Sequence, residues 1–342
     1  MNFCVTLAPF GVQFECGADE SILSAALRQG VGLRYGCKHG ACGSCKAKIV
    51  EGEVDLTQAS GFALMQFERE AGMALLCSAY PLEDVVVELT DYDEAELSAA
   101  RPIVECDCRV SMRTRIAPDI WQLRLAVDGA KSFGFDAGQF IEVNVPGTDE
   151  WRAYSMANSP ADGRALEFLI KELPGGRFST FLAEEMCEGE VVRIRGPYGQ
   201  FKVNQGTAPI VMVAGGSGMA PILSMLRTLA EQRSARNIVF FYGARTAKEL
   251  ICAEEIAHIA ASLDSFTYIP VLSEPAEDSS WSGETGLVTA ALERRSASLR
   301  AAEAYLCGPP GMIDAAIEVL KQKGMFSSRI RYDKFVSTGG RA

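Results

Sequence analysis

Histidine is almost absent from this chain of 342 residues: only His39 and His258 occur. A Rieske cluster needs paired Cys and His ligand loops, and a carboxylate di-iron centre needs two Glu-x-x-His motifs where the chain has one, Glu255 to His258. Oxygen activation at a metal of its own is therefore not expected, and Glu255 and His258 read as an ordinary helix surface. Long apolar runs are missing too. None approaches the roughly 18 residues a membrane helix needs, and Met1 to Thr6 lacks the basic and apolar regions of a signal peptide. A cytoplasmic location without a membrane partner is expected. Positive charge is in deficit, 33 Lys and Arg against 44 Asp and Glu for a net charge of -11, which argues against nucleic acid or anionic lipid as a ligand. Internal repeats and low-complexity tracts are also absent.

The acidity is uneven. Up to Leu97 there are 15 acidic and 6 basic residues, a balance of -9, which leaves -2 for the remainder. Solubility explains such a segment; so does a docking face for a basic patch on a redox partner. Eleven cysteines is an odd count, better explained by reduced thiols than by a disulfide framework. Cys106 and Cys108 alternate with Val104, Val110 and Met112 at period two and are expected to point into a strand-built core, without a metal.

Four other cysteines carry the strongest signal. Cys37, Cys42 and Cys45 in Cys37-Lys38-His39-Gly40-Ala41-Cys42-Gly43-Ser44-Cys45, completed by Cys77 after Leu75-Leu76, have the thiolate spacing of a plant-type 2Fe-2S cluster. Two bridged irons need four thiolates, and one loop supplies three only if it curls around the metal. Gly36, Gly40 and Gly43 permit the curl and let backbone N–H groups approach the sulfides. The alternatives are a zinc site or free core cysteines; structural zinc usually takes two close pairs of ligands, not a triplet and a distant single residue.

Three segments follow from the patterning. To about Leu97, two apolar alternations around Pro9-Phe10-Gly11 predict a hairpin, Ser21 caps a helix over Ile22 to Gln29 that Gly30 ends, and Ala47 to Val50 and Val85 to Leu89 read as strands of a small mixed sheet. The polar, aperiodic stretch from Asp91 to Pro102 reads as a linker. From 102 to 205 strands at Val104 to Met112, Trp121 to Val127, Phe140 to Val145, Leu166 to Ile170 and Val191 to Ile194 suggest an antiparallel barrel. Beyond Ala208 strand, glycine turn and helix alternate, with buried parallel strands expected at Ile210 to Ala214, Ile238 to Tyr242, Phe266 to Leu272 and Ala304 to Leu306.

In Arg152-Ala153-Tyr154-Ser155, strand geometry puts Arg152 and Tyr154 on one face, where a guanidinium and a flat ring suit a flavin's pyrophosphate and ring, with Ser155 near a polar edge. Gly175-Gly176-Arg177-Phe178-Ser179 opens a helix whose free N–H groups could receive the same pyrophosphate; an ordinary capped helix start is the alternative. Gly196-Pro197-Tyr198-Gly199 reads as a turn. The run Ile210 to Ala214 enters Gly215-Gly216-Ser217-Gly218, a strand-glycine-helix unit of the kind that binds nucleotide phosphate, though not the G-x-G-x-x-G fingerprint, so a generic α/β turn stays open. A second unit, Cys307-Gly308-Pro309-Pro310-Gly311, stands at the carboxyl end of a later strand, where Cys307 could border a nicotinamide or be a small buried hydrophobe.

In this order the segments resemble the ferredoxin-NAD reductase components of bacterial multicomponent oxygenases, closest to those of soluble di-iron monooxygenases acting on phenol, propane or methane. The likeness rests also on Ala25-Ala26-Leu27-Arg28-Gln29, Glu51-Gly52-Glu53, Phe62-Ala63-Leu64 and Gly138-Gln139-Phe140. It implies a β-grasp plant-type ferredoxin domain over 1–97, an antiparallel β-barrel FAD domain over 102–205 and an α/β parallel-sheet NAD domain over 206–342. It further implies that Cys37, Cys42, Cys45 and Cys77 hold the 2Fe-2S cluster, and that Arg152, Tyr154, Ser155, Gly176 and Ser179 hold FAD. Gly215, Gly216, Gly218, Cys307, Gly308 and Pro309 would line the NADH site. The family's aromatic over the flavin points to Phe335, for which packing in a core is the alternative. Arg245 could attract the 2′-phosphate of NADP, yet the resembling reductases mostly use NADH.

Electron counting gives the expected activity. A nicotinamide yields two electrons as hydride, a cluster takes one at a time, and a flavin must stand between them on the way to a partner oxygenase. No side chain need act as nucleophile or acid. Other readings are a reductase for a Rieske dioxygenase or a deoxysugar dehydratase, and, outside enzymes, an electron carrier or zinc-holding module. A monomer is expected.

Overall fold

The computed structural model describes all residues except 37, 39, 41, 42, 57, 58, 60, 62, 91, 93, 95, 96, 98–100, 129–131, 277–279 and 336–342. By contact the chain divides into two units, Met1–Glu105 with Arg195–Gln200, and Cys106–Ile194 with Phe201–Ala342.

In the first unit the alternating residues of β1 (Asn2–Ala8) and β2 (Val12–Gly17) form the expected hairpin, turned at Gly11 with φ +71°. Ser21 Oγ accepts the Ser24 N–H at 3.2 Å and so caps α1 (Ile22–Arg28), which buries Ile22, Leu23 and Leu27; Gly30, at φ +76°, follows its end. Then come β3 (Lys46–Glu51), β4 (Val54–Asp55), α2 (Gln66–Glu70), β5 (Met73–Leu75), β6 (Tyr80–Pro81) and β7 (Val85–Glu88). The sheet order is β2-β1-β7-β3-β5, with β1 and β7 parallel and the other pairings antiparallel. Val5, Leu7, Ile22, Val85 and Val87 fill its core. Gly52 is needed between β3 and β4 because a Cβ there would lie 2.3 Å from the Asp84 carbonyl oxygen. The expected linker is partly packed: the Tyr92 hydroxyl accepts the Arg34 N–H at 2.7 Å, and Leu97, buried, accepts the Gly32 N–H at 2.8 Å. Two apolar side chains outweigh the polar composition around them.

The second unit contains most of a barrel: β8 (Val104–Ala117), β9 (Ile120–Val127), β10 (Phe140–Asn144), β11 (Trp151–Ser155), β12 (Ala165–Lys171), α3 (Arg177–Glu184) and β13 (Val191–Tyr198). Its order is β11-β10-β13-β8-β9-β12, and the bridge Met156 to Phe168 brings the two edges together. Closure of this kind leaves no open edge. Cys108 lies in the core with Val110, Leu123 and Phe168, and Cys106 packs against it; Val104, expected on the same face, is exposed. β8 runs past Met112 because Arg113 and Arg115 lay their guanidinium groups 5.1 and 4.8 Å from the Trp121 ring. The turn expected at Gly196 to Tyr198 is instead the end of β13. Tyr198 is buried with the Lys38 ammonium 3.4 Å from its ring centroid, and that contact overrides the local Gly-Pro preference.

The same unit holds the α/β layer. Its elements are β14 (Ile210–Gly215), α4 (Met219–Glu231), β15 (Ile238–Ala244), α5 (Ala253–Ser262), β16 (Phe266–Leu272), β17 (Glu284–Thr285), α6 (Val288–Arg295), β18 (Glu303–Gly308), α7 (Pro310–Gln322) and β19 (Ile330–Lys334). All strands are parallel in the order β17-β16-β15-β14-β18-β19. Both faces are buried: Ile210, Met212 and Ala214 pack under α4 and α5, Val211 and Val213 under α6 and α7. The order reverses between β14 and β18, the topological switch point where open sheets bind ligands. α4 also ties sheet to barrel, since its core includes Ile120, Ala157 and Leu169 and the Ser224 hydroxyl donates to the Asn158 carbonyl at 2.7 Å. Arg227 on α4 pairs with the buried Glu167 of β12 at 3.3 Å and with Glu255 at 3.0 Å, so Glu255 is part of an ion-pair network and not a plain helix surface; His258 is exposed as expected.

Candidate functional site

Three groups of residues stand out. In the cluster loop Cys45 and Cys77 are described and buried, while Cys37 and Cys42 lie outside the described residues, as does Phe62. Cys77 sits in a one-turn 3-10 helix, Leu76–Ser78, and the Leu76 N–H donates to the Cys45 carbonyl at 3.0 Å. The Cys45 thiol, then the Ser78 hydroxyl and the Gly40 N–H at 3.2 Å, hold the Cys77 thiol down to about 6 against its burial. A backbone N–H aimed at a buried cysteine sulfur fits a thiolate-held cluster. Gly40 and Gly43 have φ of +74° and +76° as the curl requires; among the described residues of the loop Lys38 is also left-handed (φ +60°), and Gly36 is not.

On the barrel, β11 places Arg152 and Tyr154 on one face. The Tyr154 ring lies 5.2 Å from that of Phe178 on α3, and burial pushes its phenol upward. Arg152 pairs with Glu150 at 2.5 Å, and Arg177 at the start of α3 pairs with the same carboxylate. Arg152 and then Arg177 lower the Glu150 carboxyl. Gly176 is the α3 N-cap without a side-chain cap, so the first N–H groups keep room for an anion. A Cβ at Gly176 would lie 2.4 Å from Ser179 Oγ and 3.0 Å from the Leu173 carbonyl oxygen, so the turn packs closely around the glycine. The Ser179 hydroxyl accepts the Leu173 N–H and donates to the Gly176 carbonyl, both at 3.2 Å; it shapes the turn. Ser155 ends β11 and is buried. Glu150 and Arg177 were not foreseen as part of this group, although both stand beside foreseen residues.

At the switch point, Ala214 of β14 faces Cys307 of β18 in register. A Cβ on Gly218 would lie 2.3 Å from the Cys307 carbonyl oxygen, and one on Gly308 3.1 Å from the Gly215 carbonyl oxygen. Gly216, at φ +56°, has open space where its Cβ would be. Pro309 precedes α7 and is exposed, and Cys307 is wholly buried, its thiol pushed up by that burial and then by Asp333. The Phe335 N–H donates to the Gly308 carbonyl at 2.9 Å, and its half-buried ring packs on the core that includes Cys307. Gly215, Gly216, Gly218, Cys307, Gly308, Pro309 and Phe335 are thus one constellation at the carboxyl end of the sheet. Beyond it, Arg245 at the end of β15 pairs with Glu249 at 2.7 Å and Asp119 at 3.6 Å.

Comparison with known proteins agrees with this geometry. Residues 5–82 match a 2Fe-2S iron-sulfur cluster binding domain, 107–203 an oxidoreductase FAD-binding domain and 212–318 an oxidoreductase NAD-binding domain. Fold and site define an iron-sulfur flavoprotein oxidoreductase: a ferredoxin domain, an FAD-binding barrel and an NAD-binding α/β domain. The chain is 39% identical over 337 residues to the reductase component of propane 2-monooxygenase from Rhodococcus jostii (strain RHA1), covering 97% of this chain and 91% of that one. It is 38% identical to the reductase component of phenol 2-monooxygenase from Pseudomonas sp. (strain CF600), covering 98% and 95%. A crystal structure of an Amycolatopsis cytochrome P450 reductase superposes with a TM-score of 0.88 at 31% identity, covering 98% and 99%. The chain belongs to the family of reductase components of multicomponent monooxygenases. Among the described residues no helix is long and apolar enough to cross a membrane.

Proposed function

We propose that the protein carries electrons from NADH to the oxygenase component of a multicomponent monooxygenase, with a di-iron hydroxylase as the acceptor. The observation that carries this reading is the meeting of β14, β18 and Phe335 at the switch point, where backbone replaces side chain on two adjoining strand ends. FAD, held by the barrel residues, would supply the link between a two-electron hydride donor and a one-electron acceptor, the role the 2Fe-2S cluster would fill.

The chain's residues position and neutralise. Arg152, together with the free N–H groups of α3, would offset a pyrophosphate's charge; Tyr154 offers a ring face, Ser155 a polar edge, Gly176 and Ser179 the shape of the turn, and Phe335 an aromatic cover. Gly215, Gly216, Gly218, Gly308 and Pro309 would admit the nucleotide close to the backbone, with Cys307 bordering it. Cys37, Cys42, Cys45 and Cys77 would hold the cluster. We assign these roles to domains spanning 1–97, 102–205 and 206–342, in a cytoplasmic monomer; the free thiols, Cys187 exposed among them, suit a reducing compartment.

For the nucleotide, Glu249 and Asp119 support NADH. Arg245, the cation nearest the end of β15, is engaged by both carboxylates, and the Arg245 N–H donates to Glu249 at 2.9 Å, so a 2′-phosphate would meet two negative groups. A second reading, a cytochrome P450 as acceptor, is favoured by the likeness to the Amycolatopsis reductase. Pairing the protein with purified di-iron hydroxylases, P450s and Rieske oxygenases, each with NADH or NADPH, tests the proposal. Product with a di-iron hydroxylase and NADH is the expected result; coupling only to another oxygenase class, or only with NADPH, would contradict it.

A further inference from the structure

Two of the 6 basic residues in the first 97 adjoin cluster cysteines in sequence: Lys38 follows Cys37, and Lys46 follows Cys45. They are engaged differently. Lys46 pairs with Glu68 at 2.5 Å, a carboxylate that offsets its charge. Lys38 lays its ammonium 3.4 Å from the centroid of the Tyr198 ring, a neutral face that attracts a cation and leaves its charge in place.

The backbone is turned to make this contact. Lys38 has φ +60°, a left-handed conformation that glycine adopts freely and lysine seldom does. The loop has glycine at its other left-handed positions, Gly40 and Gly43, and keeps a charged side chain here. The receiving side is fixed as well. Tyr198 is buried at the end of β13, and the N–H of Gly199 donates to the hydroxyl of Tyr35, a buried residue three positions before Lys38. Arg195–Gln200 groups by contact with Met1–Glu105, so both contacts lie inside one unit. Two positions after Lys38, the Gly40 N–H reaches Cys77 Sγ at 3.2 Å. Lys38 thus stands in the chain between one cluster cysteine and the donor to another.

We infer that Lys38, clamped on Tyr198, raises the reduction potential of the 2Fe-2S cluster and so favours electron transfer onto it. The inference rests on the cluster reading above. One-electron reduction adds negative charge to a centre that four thiolates already make negative, in a segment whose own balance is -9. Both make the electron harder to place. A cation fixed at the loop offsets them, and it does so more strongly where a buried ring covers the ammonium and limits screening by water and salt. Lys48 on β3, exposed to solvent, carries the same charge without that cover. The Tyr35 to Gly199 hydrogen bond already fastens the loop to the end of β13, so fastening alone does not call for a charge at Lys38.

The test is an anaerobic titration of the flavin- and cluster-loaded protein with dithionite and redox dyes. The cluster's electron paramagnetic resonance signal is the readout, which needs neither NADH nor an acceptor protein. At the potential that half-reduces the parent cluster, Lys38→Met should lower the ratio of reduced to oxidised cluster about fivefold to tenfold, tenfold being about 59 mV for one electron. Lys38→Arg keeps the charge and should stay within about twofold of the parent. Tyr198→Leu keeps the lysine and removes its cover, and should lower the ratio about twofold to threefold. Lys48→Met should leave it nearly unchanged. A Lys38→Met ratio equal to the parent's, with the signal shape intact, overturns the inference. So does an equal fall in Lys38→Met and Lys48→Met, the mark of a general charge effect. If Lys38→Met takes up no cluster, Tyr198→Leu decides, and an unchanged ratio there overturns the role of the clamp. A parent without a cluster signal sinks the cluster reading and Lys38 with it. A parent whose cluster is reduced by dithionite and never by NADH sinks the reductase reading alone, since the ratios are read without NADH.

Discussion

The barrel and the α/β sheet prepare for their nucleotides in opposite ways. The barrel presents side chains: Arg152 and Arg177 converge on Glu150, and Tyr154 stands against Phe178. The sheet presents their absence: at Gly218 and Gly308 a methyl group would run into the opposite strand's backbone. A side-chain site loses its ligand by degrees as groups are removed, whereas a backbone site fails when one carbon is added. The difference follows from rigidity, because Arg152 and Tyr154 can move and the strand ends of β14 and β18, paired in register, cannot.

The largest effect is expected where the comparison is sharpest. Gly218→Ala places a Cβ 2.3 Å from the Cys307 carbonyl oxygen, so the strand end and turn must part. NADH-dependent flavin reduction in stopped flow should fall by about a hundredfold or more, the scale of a misplaced reacting pair, with FAD still bound. Gly216→Ala breaks the comparison if it behaves the same way. Its Cβ meets open space and only the φ of +56° is strained, so a loss of about 1–2 kcal/mol in thermal stability and nearly intact NADH reactivity are expected.

On the barrel, Arg152→Ala should weaken FAD by about tenfold to a hundredfold, the worth of a charge-assisted contact, measured by fluorescence during dialysis. Tyr154→Phe keeps the ring face and should stay within twofold. Smaller still is the nucleotide preference: Glu249→Ser removes one carboxylate from Arg245 and should shift the NADPH to NADH ratio of kcat/KM upward by about fivefold, read in steady state with ferricyanide.

The smallest effect concerns Asp333, opposite Cys307 in the sheet, which burial raises to about 6. Its folded pKa lies above the ordinary carboxyl value of about 4, so the folded form keeps its proton longer and stability falls as pH rises between those values. Asp333→Asn should therefore raise the melting temperature by roughly 2–4 °C at pH 7 and by nothing at pH 4, checked by calorimetry at both.

What the sequence disclosed divides along the same line. Cysteine spacing and strand-glycine turns were legible because they are local constraints: ligands must be a given element type, and close backbone approach must be glycine. The Ser21 cap and the hairpin at Gly11 were legible for the same reason. β19 was not. Ile330 is the one side chain of β19 in the hydrophobic core, and the rest of the strand is held by backbone pairing to β18, which no side-chain pattern records. Tyr198 was taken for turn because Gly196 and Pro197 speak for themselves locally, while Lys38, which keeps it in the strand, stands far away in sequence. Glu255 looked like helix surface because its partner Arg227 lies on α4. Residues fixed by distant partners are the ones that composition and spacing miss.

The most direct measurement is the visible spectrum of the purified protein under anaerobic titration with NADH. The account predicts that the flavin and iron-sulfur bands bleach together as NADH is added, with NADPH far less effective. A colourless protein, or a cluster band that NADH never reduces, would contradict it.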